Sequence, residues 1–237
     1  VEATTVVAPG LPTLDEVAGR LALDGGKLAV EELRGRLGGG VLEGTLNLDV
    51  ATVPPVLSAS LGLNGATLTG PLFGLPFDLV SGRLDAQARV TAQGHAPAAL
   101  LGTLTGEGRI ALADGVLAGV ALGAAASAAA IEDAAAAEAG VRQALEGGAT
   151  ALDRLEGGWR ASAGVVTLDG VRIAGEAGLS GAVEGSIDLR RGTVDLRFLV
   201  QPPPAEAPPI ALRVTGPAET PRRQSEMATW ARWRAER

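Results

Sequence analysis

The stretch Glu43-Gly44-Thr45-Leu46-Asn47-Leu48 places a small or apolar residue at every second position. The pattern returns in Glu107-Gly108-Arg109-Ile110-Ala111-Leu112 and in Glu184-Gly185-Ser186-Ile187-Asp188-Leu189. Because successive side chains of a strand point to opposite faces, a period of two predicts a strand with one apolar face. The copies begin at 43, 107 and 184, which is too far apart for one hairpin and too uneven for a strict solenoid. Each copy therefore predicts one strand of a larger sheet.

The same alternation extends outward from these copies and is interrupted by glycine. Between Arg20 and Val50 it is broken at Gly25-Gly26 and at Gly38-Gly39-Gly40, which is the usual signal of hairpins. Together these segments predict an antiparallel meander. Further segments with alternating apolar residues are 57–63, 84–90, 104–112, 179–189, 194–200 and 210–214.

The glycine of each copy falls on the apolar face, because Gly44, Gly108 and Gly185 share parity with the Leu and Ile that follow. Two explanations remain open. Glycine relieves crowding at a bulge or a strong twist, or the missing side chains leave a channel for an extended apolar ligand.

A different pattern covers residues 122–156, where an Ala-rich run precedes Val141, Leu145, Leu152 and Leu155. Alanine is the best helix former, and apolar spacings of three, four or seven give one apolar stripe. We expect one or two helices, broken near Gly147-Gly148, that cover an end or a face of the sheet. The uncharged run from Gly115 to Ile131 has 17 residues, short of the roughly 20 that a membrane span needs, and predicts a soluble helix.

The predicted fold is mainly β: a curved, Gly-rich antiparallel sheet with an Ala-rich helical insertion and a short C-terminal helix. We divide the chain into a first β segment, a helical insertion, a second β segment that continues the same sheet, and an Arg- and Trp-rich tail. Their bounds are 1–121, 122–156, 157–216 and 217–237.

Composition argues against several functions. The net charge is −7, which disfavours nucleic acid because phosphate neutralisation needs clustered Lys and Arg. There is no cysteine and one histidine, His95, which lies in a predicted turn. Hydrolase triads and histidine-based metal sites need further catalytic or ligand residues beside a single histidine. The Asp and Glu residues are scattered along strand positions that we expect to face solvent. We expect a non-enzymatic protein without cofactor or metal; two facing carboxylates in a pocket would revive an enzyme hypothesis.

The tail from Arg222 to Arg237 could form a helix with Met227, Trp230 and Arg234 along one side and Trp233 close by. Trp beside Arg suits a lipid interface or a partner surface. The alternative is a terminal helix that packs its Trp residues on the sheet or on a neighbouring chain. Trp159, at the start of a predicted strand, is expected to pack in the core or at the end of the sheet.

The order of these motifs resembles the carboxy-terminal region of the AsmA family, bacterial envelope proteins related to TamB-like and chorein-like bridge proteins. The stretches that carry the resemblance are 28–33 with 39–44, 104–108 with 114–120, 150–157 leading to 164–166, 183–189, and the ending 210–216 followed by Pro217 and Pro221. It implies a taco-like sheet with an apolar inner surface and a role in phospholipid transport or outer-membrane maintenance. It also implies a periplasmic location and an inner-membrane anchor on the amino-terminal side, which we expect to lie outside this chain.

We therefore expect a module that binds or conducts acyl chains along an apolar β groove while head groups stay in solvent. Its partners would be phospholipid or another acyl-chain lipid, with a membrane surface and envelope proteins as further candidates. The rival hypothesis is a structural or assembly factor that binds outer-membrane or secretion partners through sheet edges and the tail. The residues expected to line the groove are Leu46, Leu48, Leu104, Ile110, Leu112, Val183, Ile187 and Leu189.

Overall fold

The computed structural model describes residues 2–6, 13–67, 69–71 and 77–236. Thirteen strands form one antiparallel sheet in chain order, and the two-residue strand β6 pairs only with β7. The predicted meander is confirmed. The strands are β1 (Glu2–Val6), β2 (Leu14–Asp24), β3 (Lys27–Leu37), β4 (Gly40–Asp49), β5 (Val56–Ala66), β6 (Gly70–Pro71), β7 (Asp78–Gln93), β8 (Thr105–Ala118), β9 (Ala149–Ser162), β10 (Val165–Gly175), β11 (Leu179–Asp188), β12 (Thr193–Val200), β13 (Ile210–Pro217) and β14 (Arg222–Glu226).

The tight turns explain why the meander needs glycine. Between β2 and β3, Gly25 and Gly26 have φ values of 55° and 81°. A two-residue hairpin turn with positive φ at both positions favours glycine, because a Cβ atom there is strained. The Gly25-Gly26 pair in the sequence therefore predicts a hairpin turn for a conformational reason.

Because neighbouring strands are antiparallel, every connection lies at one of two ends of the sheet. The hairpin end carries the β2–β3 turn, the β4–β5 loop and α1 (Pro97–Thr103) between β7 and β8. The helical end carries α2 (Leu122–Ala129) and α3 (Ala134–Glu146) between β8 and β9, and α4 (Ala228–Ala235) after β14. Among the described residues, α1 is the α-helix that the sequence did not predict, and a 3-10 helix at Glu176–Gly178 was not predicted either. Pro97 occupies the first turn of α1, where proline is tolerated.

The helical insertion ends earlier than predicted. Helix α3 stops at Glu146, and β9 begins at Ala149, so Leu152 and Leu155 lie in the sheet. The helical interpretation of residues 149–156 is wrong. Strand β9 pairs with β8 on one side and β10 on the other, and this pairing overrides a spacing that also fits a helix.

The core lies between the helices and the carboxy-terminal half of the sheet. One cluster of buried residues joins α2, α3 and α4 to strands β7 to β13. Thr150, at the start of β9, fixes this contact because its buried hydroxyl accepts the Leu122 N–H at 2.9 Å and donates to the Val120 oxygen at 2.7 Å. The hydroxyl thus caps the first turn of α2, whose own N-cap residue, Ala121, has no side chain to do so.

Candidate functional site

One face of the sheet is apolar across nearly its whole width. Residues that are paired across neighbouring strands share a face, so the register identifies the members of each row. One row crosses ten strands and holds only aliphatic residues or glycine. Its members from β2 to β12 are Leu21, Val30, Leu46, Ala59, Val90, Gly106, Ala161, Val166, Ile187 and Val194.

Six of the eight predicted groove residues have the parity of this apolar face. Leu112 and Val183 are buried in the core cluster, and Ile187 packs against it. Leu46, Leu48 and Ile110 are only half-buried. The last two lie in connections at the hairpin end, Leu104 after α1 and Leu189 after β11. The structure thus brings the strand residues onto one surface, which is half exposed at Leu46, Leu48 and Ile110 and covered at Leu112 and in β11.

Residues of β5 and β7 complete the half-exposed part of the face, although they were not among the predicted groove residues. Leu57 lies opposite Leu48, and Ala59 lies opposite Leu46. Their alternation is visible in the sequence, and the parity argument applied to the three repeats would have identified them. Leu61, Ala88 and Val90 belong to the same surface.

The repeat glycines do not open a channel. A Cβ atom on Gly108 would meet the Gln87 backbone oxygen and would lie 2.5 Å from the Trp159 ring. A Cβ atom on Gly44 or Gly185 would meet a backbone oxygen of the neighbouring strand. Glycine at these positions allows close approach of backbone or ring, so the crowding explanation describes them. The Trp159 ring packs over Gly108 of the neighbouring strand β8.

Towards the helical end, one arginine interrupts the apolar face. Arg223 lies opposite Val214, and its Nη2 donates to the backbone oxygens of Gly119 at 2.5 Å and Leu145 at 2.7 Å. Its guanidinium also lies 5.1 Å from the centre of the Phe77 ring. Burial lowers the pKa of Arg223, and the charge of Glu146 opposes this effect. The side chain links β14 to the segments that flank α2 and α3.

The predicted contact residues of the tail face inward instead. Arg222–Glu226 forms strand β14, so only Ala228–Ala235 is helical. Trp230 is 1% exposed in the core, and Met227 and Trp233 pack against the same cluster. Arg234 donates to the backbone oxygens of Ala129, the last residue of α2, and of Ile131 and Glu132, which follow it. Helix α4 therefore fits the alternative of a terminal helix that packs its Trp residues on the rest of the protein. Because Trp230 is buried, it offers no surface to a membrane or partner.

The opposite face is polar and carries ion pairs between strands. Arg160 pairs with Asp169 at 2.9 Å, and Arg213 donates to both oxygens of Asp195 at 2.9 and 3.0 Å. The hydrogen bond from Arg213 lowers the pKa of the Asp195 carboxyl. These groups are largely solvated, so such pairs contribute little to stability. They identify the side of the sheet that faces water.

Two cavities, of about 820 and 450 Å³, lie on this polar face. The larger cavity is lined by charged side chains such as Arg89 and Glu107 and by Gly158. The smaller is lined by charged side chains such as Asp85 and Arg172. Residues of the polar face form most of the lining of both, although Ile110, one of the predicted groove residues, also lines the smaller cavity. The row from Leu21 to Val194 lines neither cavity, so an acyl chain along that row would lie outside both.

Within the described ranges, no three His, Asp or Glu residues gather in a way that could hold a metal ion. The helices of the described part of the chain are all too short or too polar to cross a bilayer. His95 is exposed in the connection between β7 and α1.

The architecture is that of an open antiparallel sheet with one apolar and one charged face. The family model of the AsmA family matches residues 1–170, most of the chain. The chain belongs to the AsmA family, and this membership is consistent with an envelope-related function. Comparison with curated proteins and with solved structures gave no match.

Proposed function

We propose that this chain is a non-enzymatic module of the bacterial envelope that binds acyl chains along its apolar sheet face and supports phospholipid transport or outer-membrane biogenesis. The observation that carries the proposal is the row from Leu21 to Val194, which crosses ten strands without a polar side chain. A single pocket would suit one compact ligand, whereas a continuous apolar row suits a long acyl chain. AsmA membership supports the same proposal, which places the module in the periplasm.

The energetics favour binding without a specific site. An acyl chain gains about 0.8 kcal/mol for each CH₂ group that leaves water, whichever apolar row it contacts. Neighbouring rows offer similar aliphatic side chains, so an acyl chain could slide from one row to the next without losing its apolar contact. Movement along the face would therefore be passive.

The division of the two faces supports a fixed orientation of the lipid. Charged residues pair with one another on the polar face, and Arg20–Glu32 and Arg34–Glu43 continue this pattern into β2 to β4. A charged head group in an aliphatic row would lose hydration without gaining a partner. We expect the head group to remain in water at an end of the sheet.

The test introduces a charge on one face or the other of the same strand. Leu46→Glu places a carboxylate in the half-exposed apolar row, and Thr45→Glu, on the polar face, is the matched control. Each protein would be purified gently from a bacterial host and its lipid measured by native mass spectrometry and solvent extraction. We expect wild type and Thr45→Glu to carry phospholipid and Leu46→Glu to carry much less.

Two outcomes would overturn the proposal. One is a wild-type protein that carries no lipid and takes up none from detergent-solubilised phospholipid. The other is equal lipid in both variants, because binding would then not depend on the apolar face. Circular dichroism of each variant distinguishes lost binding from lost folding.

A further inference from the structure

Three of the most exposed aliphatic side chains of the described chain lie together at the hairpin end. Leu23, beside the β2–β3 turn, is 77% exposed, and Val53 and Val50, in the β4–β5 loop, are 88% and 54% exposed. We call these three residues the apolar tip. Single exposed aliphatic residues are ordinary, but several on adjacent loops mark an interaction surface.

The two loops of the apolar tip are held together. The Val50 N–H donates to the Gly26 oxygen at 2.9 Å, and a Cβ atom on Gly26 would lie 3.6 Å from a methyl group of Val50. The tip is therefore a defined projection with aliphatic residues on both loops.

The apolar tip is continuous with the apolar face. Leu23 lies opposite Leu28, which lies opposite Leu48, and Leu48 in turn lies opposite Leu57. At the helical end, by contrast, α2, α3 and α4 bury the face from β8 to β13. A lipid could reach the half-exposed rows of β2 to β5 from the hairpin end without moving α2, α3 or α4.

We infer that the apolar tip docks on a phospholipid bilayer and that lipid passes there between the bilayer and the apolar face; this inference rests on the proposed function. Aliphatic residues on projecting loops fit the shallow boundary between head groups and acyl chains, about 5–10 Å deep. A protein interface of this kind would usually carry aromatic or arginine anchors, and the tip has none.

The charges near the tip predict which bilayer it prefers. Lys27 pairs with Asp49 at 3.5 Å, and Asp24 lies beside the turn, so the surroundings have no excess of positive charge. Attraction to anionic lipid needs clustered basic residues. Docking should therefore occur on zwitterionic phosphatidylcholine vesicles and should gain little from phosphatidylglycerol.

The experiment compares charge at the tip with charge at the opposite end. Leu23→Glu/Val53→Glu alters the tip, and Val41→Glu/Ile131→Glu alters two residues at the helical end that are 44% and 43% exposed. Flotation of the full chain with phosphatidylcholine vesicles measures docking. We expect the tip variant to partition at least roughly tenfold less than wild type, and the helical-end variant to float like wild type.

Failure of this inference is distinguishable from failure of the proposed function. Binding of monomeric lysophosphatidylcholine, measured by native mass spectrometry, does not require docking on a bilayer. If the tip variant loses flotation but still binds lysophosphatidylcholine, both ideas stand. If wild type does not float, or both variants lose flotation equally, docking through the tip is wrong, even where lysophosphatidylcholine still binds. Concentration-dependent dimerisation that the tip variant abolishes, without flotation of wild type, would assign the surface to a second copy of the chain.

Discussion

Individual glycines show how closely the strands approach one another. Gly108 has no space for a methyl group, because both the Gln87 backbone and the Trp159 ring occupy the position that its Cβ atom would take. Gly62, on the opposite face of β5, has nothing within 4 Å of its Cβ position. The two glycines therefore have opposite steric roles although both lie in regular strands.

Gly108→Ala should destabilise the protein by about 1–3 kcal/mol, because the methyl group forces strand or ring to shift. Gly62→Ala, the matched control, should stay within about 1 kcal/mol of wild type, since its strand conformation suits any residue. Urea unfolding followed by circular dichroism measures both. If Gly108→Ala were as stable as Gly62→Ala, space would exist at the repeat glycines and the channel explanation would return.

At the scale of elements, two arginines of the carboxy-terminal segment hold the α2–α3 hairpin. Arg223 bonds carbonyl oxygens at the start and end of the insertion, and Arg234 bonds three carbonyl oxygens at the end of α2 and just after it. Helix ends leave such carbonyls without intrahelical partners, so a cationic donor there satisfies them. The carboxy-terminal segment thus fixes the helices over the buried part of the sheet.

Arg234→Met should weaken this attachment by about 1–3 kcal/mol, because three carbonyl oxygens lose a charged donor. Hydrogen exchange should accelerate in α2 and α3, whereas β4 and β5, which contribute no residue to the core cluster around the helices, should exchange as in wild type. Arg232→Met is the control, since Arg232 is an exposed residue on the same helix. Equal acceleration in both variants would show that the helix tolerates no substitution and that the carbonyl bonds are not responsible.

For the whole molecule, alternation and glycine turns were sufficient to predict an antiparallel meander with one apolar face. They could not predict contacts that join distant parts of the chain. Nothing near Thr150 in the sequence marks it as the cap of α2, because its partners lie about thirty residues earlier. The role of the tail was ambiguous for a related reason, because a Trp residue such as Trp230 suits a membrane interface and a core equally well. Only the position of α2 and α3 determines that Trp230 is buried.

The uneven distribution of buried residues predicts a gradient of stability along the sheet. Among the described residues, buried hydrophobic side chains begin at Leu63, so β2 to β4 depend on strand pairing and half-exposed rows. Local opening is easiest where few apolar contacts are lost. Amides of β2 to β4 should therefore exchange well before those of β12 and β13, which the helices cover.

Lipid binding should reduce this gradient, because a ligand that binds only the folded face stabilises the strands that it contacts. At a hundredfold excess over Kd this amounts to about 2.7 kcal/mol, or exchange slowed by about a hundredfold. Hydrogen exchange with monomeric lysophosphatidylcholine should show slowing in β4 to β8 and little change in β12 and β13. Glycerophosphocholine, which has the same head group without an acyl chain, should have no effect. Slowing confined to β12 and β13 would instead mean that the helices move aside and that lipid enters the buried core.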